Sequence, residues 1–261
     1  MKLTIASIGL LAMAQTSGAV AAVYSNDFQT SVGSEWSTTF AGGLALDSTV
    51  ASAGRMFLGR ADGNPTLGNS NDVLKLSLSG LAAHDKVTVS FDVYVLNSWD
   101  GNGPLGNFPL GPFGPDLFGV TIAGAAPGTV SSFITTFSNL NGGEAGSDPI
   151  AGVLQSYPGP FPTLPGSAPF SGALEVGTLG YDFFGGGPGD DDSVYRLSLT
   201  FAHSDSSLAL SFFGSGLQDL SDESWGLDNM SVDVNAVPLP APVALLATSF
   251  VSLLAARRRK A

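Results

Sequence analysis

The 261-residue sequence contains no cysteine. Disulfides, thiolate catalysis and cysteine-bound zinc or iron–sulfur centres are therefore excluded. Positive charge is almost as scarce away from the ends. Arg55, Arg60, Lys75, Lys86 and Arg196 face all 22 acidic residues in the segment 23–235, which carries a formal charge of −17. Such a surface repels phosphate backbones, which argues against nucleic acid as a partner, and it attracts divalent cations. Solubility of a lysine-poor protein is the plainer use of the same charge.

Histidine occurs only as His84 and His203, at no spacing that brings both into one site, so each reads as a turn residue. There is no G-x-S-x-G elbow and no H-E-x-x-H motif. The four glutamates, Glu35, Glu144, Glu175 and Glu223, form no close pair. Between the ends no apolar 3.6-residue period persists long enough for a helix.

Apolar residues are plentiful at 44%, and glycine (34) and proline (16) punctuate them. That is too hydrophobic for disorder and suits short strands separated by turns. Leu74, Leu76 and Leu78 alternate with Lys75 and Ser77. Val87, Val89, Phe91, Val93 and Val95 form a second such row, Tyr195, Leu197, Leu199 and Phe201 a third, and Leu208, Leu210 and Phe212 a fourth. A two-residue period with polar alternates predicts strands with one wet face. Further strands are expected at 23–29, 55–60, 117–123, 131–139 and 227–234. The fold expected for 23–235 is all-β: a jelly-roll-like antiparallel β-sandwich. Its long Gly/Pro-rich surface loops fall at 101–115 and 142–189.

The ends read differently. Met1-Lys2, an apolar run from Leu3 to about Ala14 and the small residues Ala19-Val20-Ala21-Ala22 predict a signal peptide over 1–22. The apolar run is short of the ~20 residues of a membrane span. At the other end, 236–261, Val237-Pro238-Leu239-Pro240-Ala241 precedes an uncharged stretch to Ala256 and then Arg257-Arg258-Arg259-Lys260. The stretch predicts a transmembrane helix with its basic end in the cytoplasm; a generic single-pass tail would look alike.

A short Pro-containing motif, an apolar stretch and a terminal arginine cluster resemble the tripartite PEP-CTERM sorting signal, and Val237–Ala241 matches its VPLPA form. The resemblance implies export through the Sec translocon, transient anchoring and cleavage by an exosortase-type enzyme. It further implies delivery to the cell surface or extracellular matrix of a bacterium that makes exopolysaccharide or biofilm. The segments Asn26-Asp27-Phe28, Ser98-Trp99-Asp100-Gly101, Gly114-Pro115-Asp116-Leu117-Phe118 and Glu223-Ser224-Trp225-Gly226-Leu227-Asp228-Asn229 resemble uncharacterised PEP-CTERM ectodomains. The opening and closing segments are also similar to jelly-roll carbohydrate-binding modules. That likeness implies adjacent first and last strands that share a calcium ion.

Three clusters can carry chemistry. Asp228 shares the parity of Met230, Val232 and Val234, so it is expected on the inward face, where a bare carboxylate is costly. A structural Ca²⁺ held with Asp27 would satisfy it, as would backbone donors or an arginine. Trp99, Asp100, Asn102 and Asp116 have the composition of a carbohydrate platform, an apolar ring with a polar rim; Trp99 would equally serve as core. Trp36 and Trp225 are weaker candidates, Trp225 as core. Gly185–Asp192 approximates one calcium-binding nonapeptide, but such sites need stacked copies, so it is expected to be a flexible acidic loop. The sequence thus predicts an exported protein that binds or organises exopolysaccharide. A purely structural matrix protein is the first alternative. A glycan-active enzyme is the second, and it requires two carboxylates across a cleft.

Overall fold

The computed structural model describes residues 20–39, 44–47, 54–59, 73–102, 115–123, 131–140, 154–183, 191–218 and 220–236. Residues 1–19 of the expected leader lie outside them. So do the sorting-signal residues Val237, Pro238, Leu239, Pro240 and Ala241 and the arginines Arg257, Arg258 and Arg259.

The described regular structure is all strand: β1 (Val20–Asn26), β2 (Trp36–Thr38), β3 (Leu46–Asp47), β4 (Phe57–Leu58), β5 (Val73–Ser79) and β6 (His84–Asn97), then β7 (Leu117–Ala123), β8 (Ser131–Thr136), β9 (Glu175–Val176), β10 (Asp192–Ala202), β11 (Ser207–Ser215) and β12 (Glu223–Ala236). They form two antiparallel sheets of a sandwich. One runs β3-β4-β12-β6-β10-β9 with β1 also on β12; the other runs β2-β5-β11-β7-β8. The alternation that predicts the strands is what makes the core. Leu74, Leu76, Leu208, Leu210 and Phe212 of the five-stranded sheet meet Phe91, Val93, Leu197, Trp225 and Val232 of the seven-stranded one. Aromatic edges lock the middle, with Phe91 against Phe212 at 5.2 Å and Phe118 against Trp225 at 5.5 Å, both T-shaped.

The first and last strands are neighbours, β1 pairing with β12 from Val20↔Asn235 to Asn26↔Met230. β1 therefore begins inside the segment read as leader, and Tyr24–Asn26 pair with Val232–Met230 beyond it. β4 pairs on the same edge at Leu58↔Leu227. Where β4 hands over to β1, β12 bulges: Asp228 faces Asp92 and Ser231 faces Ser90, so two residues, Asn229 and Met230, stand opposite Phe91 alone. Asn229 takes φ +48°, which its residue type tolerates. The extra residue reverses the parity of the strand. Trp225 and Leu227 point inward before it, Met230, Val232 and Val234 after it. Asp228 consequently faces out of the sandwich, contrary to its expected parity.

The outer face of the seven-stranded sheet is half covered. Phe57, Tyr94, Leu96 and Val194 form a second small core with Leu179 and Tyr181, which arrive from the segment after β9. Asp192 holds that segment, accepting backbone N–H groups from Leu179 (3.1 Å), Gly180 (2.9 Å) and Tyr181 (3.2 Å), while Asp191 accepts from Phe183 (2.5 Å). These two residues of the expected flexible loop are buried anchors; residues 184–190 lie outside the described ones. The region 142–189 is likewise more than surface loop. Gln155 and Ser156 are buried, and Tyr157 packs against Phe137 and Tyr195 at 5.2 and 5.1 Å. The two histidines also meet. His84 opens β6 beside the end of β10, so its Nε2 lies 2.7 Å from Nδ1 of His203 and the rings stack.

Phe57 reaches the outer face only because β12 carries Gly226 there; a Cβ on Gly226 would stand 2.2 Å from the Phe57 ring. Gly226→Ala should destabilise the fold by about 1–3 kcal/mol through overpacking. Denaturant melts would measure it, and Phe57→Leu in the Gly226→Ala background should recover part of the loss.

Candidate functional site

The bulge opens a polar trough along the β1/β4 edge of β12. Its first part, a cavity of about 430 Å³, is lined by Asp27, Gln29, Gly54, Arg55, Glu175, Thr178, Asp228 and Asn229. A second, of about 420 Å³, shares Asp27 and Asn229 and continues past Ser25, Asn26, Met230 and Ser231. The trough exists because β1 stops at Asn26 and β4 starts at Phe57, leaving the edge of β12 uncovered between them.

Its charges are pinned by donors. Arg55 pairs with both oxygens of Glu175 at 3.0 Å and lies over the Tyr94 ring, 5.7 Å from its centroid. Thr178 Oγ1 also donates to Glu175, at 2.7 Å. These bonds hold the Glu175 carboxyl below the usual carboxylate range, the Arg55 contact contributing most. Asp228 accepts the Tyr94 hydroxyl at 2.6 Å and the Asn229 N–H at 2.8 Å. Burial nevertheless pushes its carboxyl up, against the pull of the Tyr94 hydroxyl. Next along the face, Arg196 clamps Asp92 at 2.7 and 2.8 Å, and the Asn229 side-chain amide donates to the same carboxylate at 2.8 Å. Asp27 is exposed, its Oδ1 accepting the Gln29 N–H at 3.2 Å. The expected calcium pair, Asp27 and Asp228, thus lines one cavity, with the Arg55 guanidinium as a counter-charge there.

The expected sugar platform divides. Trp99 is fully buried, its indole N–H donating to the Ser224 carbonyl at 2.8 Å and its ring against Phe137. It offers no face to a ligand, which corrects its reading as a platform. Trp36 and Trp225 are core as well. Asn102 turns towards β8, its Oδ1 accepting from Thr136 (2.5 Å) and Ser156 (2.7 Å). Asp100 and Asp116 do come together, joined by Glu223, with one carboxylate oxygen from each lying within 4.8 Å of the others. Asp116 accepts the backbone N–H of Asp100, and Glu223 that of Gln218 (2.6 Å). Burial, then the charge of Asp222, pushes the Asp100 carboxyl up to about 6. Burial, then the charge of Asp100, pushes Asp116 up further, and burial, then the charge of Asp116, does the same to Glu223.

Sequence reasoning passed over Arg55, Tyr94 and Glu175, because they lie far apart in the chain and only the sheet order unites them. Glu223 lies in the closing segment near Asp228, and only the fold shows that it is buried.

Neither a protein-family model nor a curated protein sequence matches the chain. Several solved structures resemble its backbone. One is the CBM22-1–GH10 part of Clostridium thermocellum xylanase 10B complexed with xylohexaose, at TM-score 0.36 and 9% identity, covering 84% of this chain and 30% of that one. Another is the CBM22 tandem of Paenibacillus barcinonensis Xyn10C, at 0.39 and 14%, covering 88% and 50%. A third is the C-terminal family 22 carbohydrate binding module of Clostridium thermocellum Xyn10B, at 0.38 and 10%, covering 87% and 100%. The chain therefore spans at most half the length of the first two.

Tyr94→Phe removes a donor to a buried carboxylate without changing packing. It should cost about 1–3 kcal/mol at a pH high enough for Asp228 to be ionised. The cost should shrink as the pH falls through the raised pKa of Asp228, because the protonated carboxyl no longer needs that donor. Urea melts of both proteins across that range would check it.

Proposed function

We propose that this is an exported, non-catalytic β-sandwich that binds or organises exopolysaccharide at the cell surface or in the extracellular matrix. The observation that carries the reading is the polar trough along β12. It is open, elongated and lined by amides, carboxylates and a guanidinium, which match the hydroxyls of a sugar chain. Its carboxylates support binding over hydrolysis. Both oxygens of Glu175 and both of Asp228 already accept hydrogen bonds, so each group is restrained as an acceptor and poorly placed to exchange protons or attack carbon. The N- and C-terminal sequences support the route: a leader for the Sec translocon and a VPLPA-type tail for an exosortase-type enzyme.

Polysaccharide from the producing strain should retain the full-length chain in a pull-down. Arg55→Ala should lower that affinity at least ~10-fold, by removing the guanidinium and releasing Glu175. Equal retention of wild type and Arg55→Ala would move the binding surface elsewhere. Release of new reducing ends would replace binding by hydrolysis.

The tail makes a separate prediction. Mass spectrometry of the mature extracellular protein should find a C-terminus at or near Val237–Ala241, without the terminal arginines. Mature protein that retains Arg257–Arg259 would overturn the processing route.

A further inference from the structure

The trough does not use the acidic cluster at the far end of β12, where Asp100 follows β6, Asp116 precedes β7 and Glu223 opens β12. We infer that Asp100, Asp116 and Glu223 form a binding site for one Ca²⁺ ion, distinct from the trough and independent of its ligand. The three carboxylate oxygens lie within 4.8 Å of one another. One ion can reach all three, since ligands on opposite sides of a Ca²⁺ stand about 4.8 Å apart, and Mg²⁺, which keeps several waters and a strict octahedron, suits a buried cluster of protein carboxylates less well.

The second observation is Asp116 itself. It is 0% exposed; its Oδ2 accepts the Asp100 N–H, its Oδ1 has no hydrogen-bond partner among the described residues, and the Glu223 carboxyl is the neighbouring side chain with which it could share a proton. Glu223 is also 0% exposed. The described ion pairs, Arg55–Glu175 and Arg196–Asp92, both lie in or beside the trough, so neither supplies positive charge here. Asp222 adds a further negative charge next to Asp100. Buried carboxylates in such a group need a cation or a shared proton. A proton shared between Asp116 and Glu223 would relieve only that pair. An ion would also satisfy the orphaned oxygen. Half-buried Asp100 gives the site its opening to solvent, from which water would complete the coordination. Gln218 spans the opening, its amide nitrogen 3.4 Å from both Asp100 and Glu223. Turned over, the same amide would present its oxygen as another ligand.

The test uses the full-length chain and two probes. Calcium at 100-fold excess over its Kd should raise Tm by about 5–10 °C relative to chelator, and Mg²⁺ should not substitute. Tb³⁺ should show tryptophan-sensitised luminescence, because Trp99 and Trp225 flank Asp100 and Glu223 in sequence, and Ca²⁺ should quench it by competition. Asp116→Asn and Glu223→Gln should abolish both signals, and Asp100→Asn, at the half-exposed position, should weaken them at least ~10-fold while the chain stays folded. Asp27→Asn in the trough should leave them unchanged. A folded wild type with neither signal would overturn the proposal in favour of the shared proton. Loss of both signals in Asp27→Asn but not in Asp100→Asn would overturn it in favour of an ion in the trough.

Discussion

The bulge between Asp228 and Ser231, two residues of β12 against one of β6, is the constraint from which the rest of the seven-stranded sheet follows. Without it, one end of β12 would turn its apolar row to solvent, because a single-residue slip exchanges the two faces of a strand. With it, Trp225 and Leu227 before the bulge and Met230, Val232 and Val234 after it all enter one core. The price is a polar residue in the left-handed region, which asparagine at position 229 meets readily. The same extra residue ends the continuous edge, so β4 and β1 pair with β12 on either side of it and leave a gap.

That gap explains why fixed polar groups gather on a face that a simple sandwich would leave to solvent. A strand edge and its neighbouring face normally present hydroxyls and charges to water, as Thr88 with Thr200 and Ser90 with Ser198 do further along β6 and β10. Near the gap, the small core of Phe57, Tyr94 and Leu179 excludes water from one side. The charged groups beside it are thereby held in fixed positions: Tyr94 to Asp228, Arg55 to Glu175, Arg196 to Asp92. An acidic protein without cysteine thus gains a rigid polar surface from packing and hydrogen bonds alone.

The strands were legible wherever the two-residue period ran for several residues, as in 73–79, 87–95 and 195–201, and there the assigned faces agree with the core. The short strands β2, β3 and β9, of three, two and two residues, contain no period to read. Parity failed at Asp228, because counting by twos assumes an unbroken ladder and nothing in Leu227-Asp228-Asn229-Met230 announces the extra residue except the asparagine. Trp99 was read by composition, which cannot distinguish a ring facing water from one whose N–H is satisfied by the Ser224 carbonyl. Two members of the same cluster, Asp100 and Asp116, do lie together. Glu223 escaped because its partner positions depend on which strands are neighbours. His84 and His203 met for the same reason, 119 residues apart in sequence and at one end of adjacent strands.

The chain handles its buried carboxylates in two ways. Asp192 is buried among backbone N–H groups that converge on it, and Asp92 takes a bidentate arginine plus an amide. Each of these is complete: its charge is solvated by the protein, and a cation would displace donors already in place. Asp116 and Glu223 have one backbone donor each, at the N–H of Asp100 and of Gln218, and face one another instead of a counter-charge. Donors are plentiful in the loops around them, since Asn97, Ser98 and Asn139 all bond to carbonyls or to Asp222 close by. Those polar groups are spent on neighbouring backbone and on an outer carboxylate, not on the inner pair. The fold thus satisfies Asp92 and Asp192 with donors, whereas Asp116, close to two other carboxylates, keeps one buried oxygen without a hydrogen-bond partner.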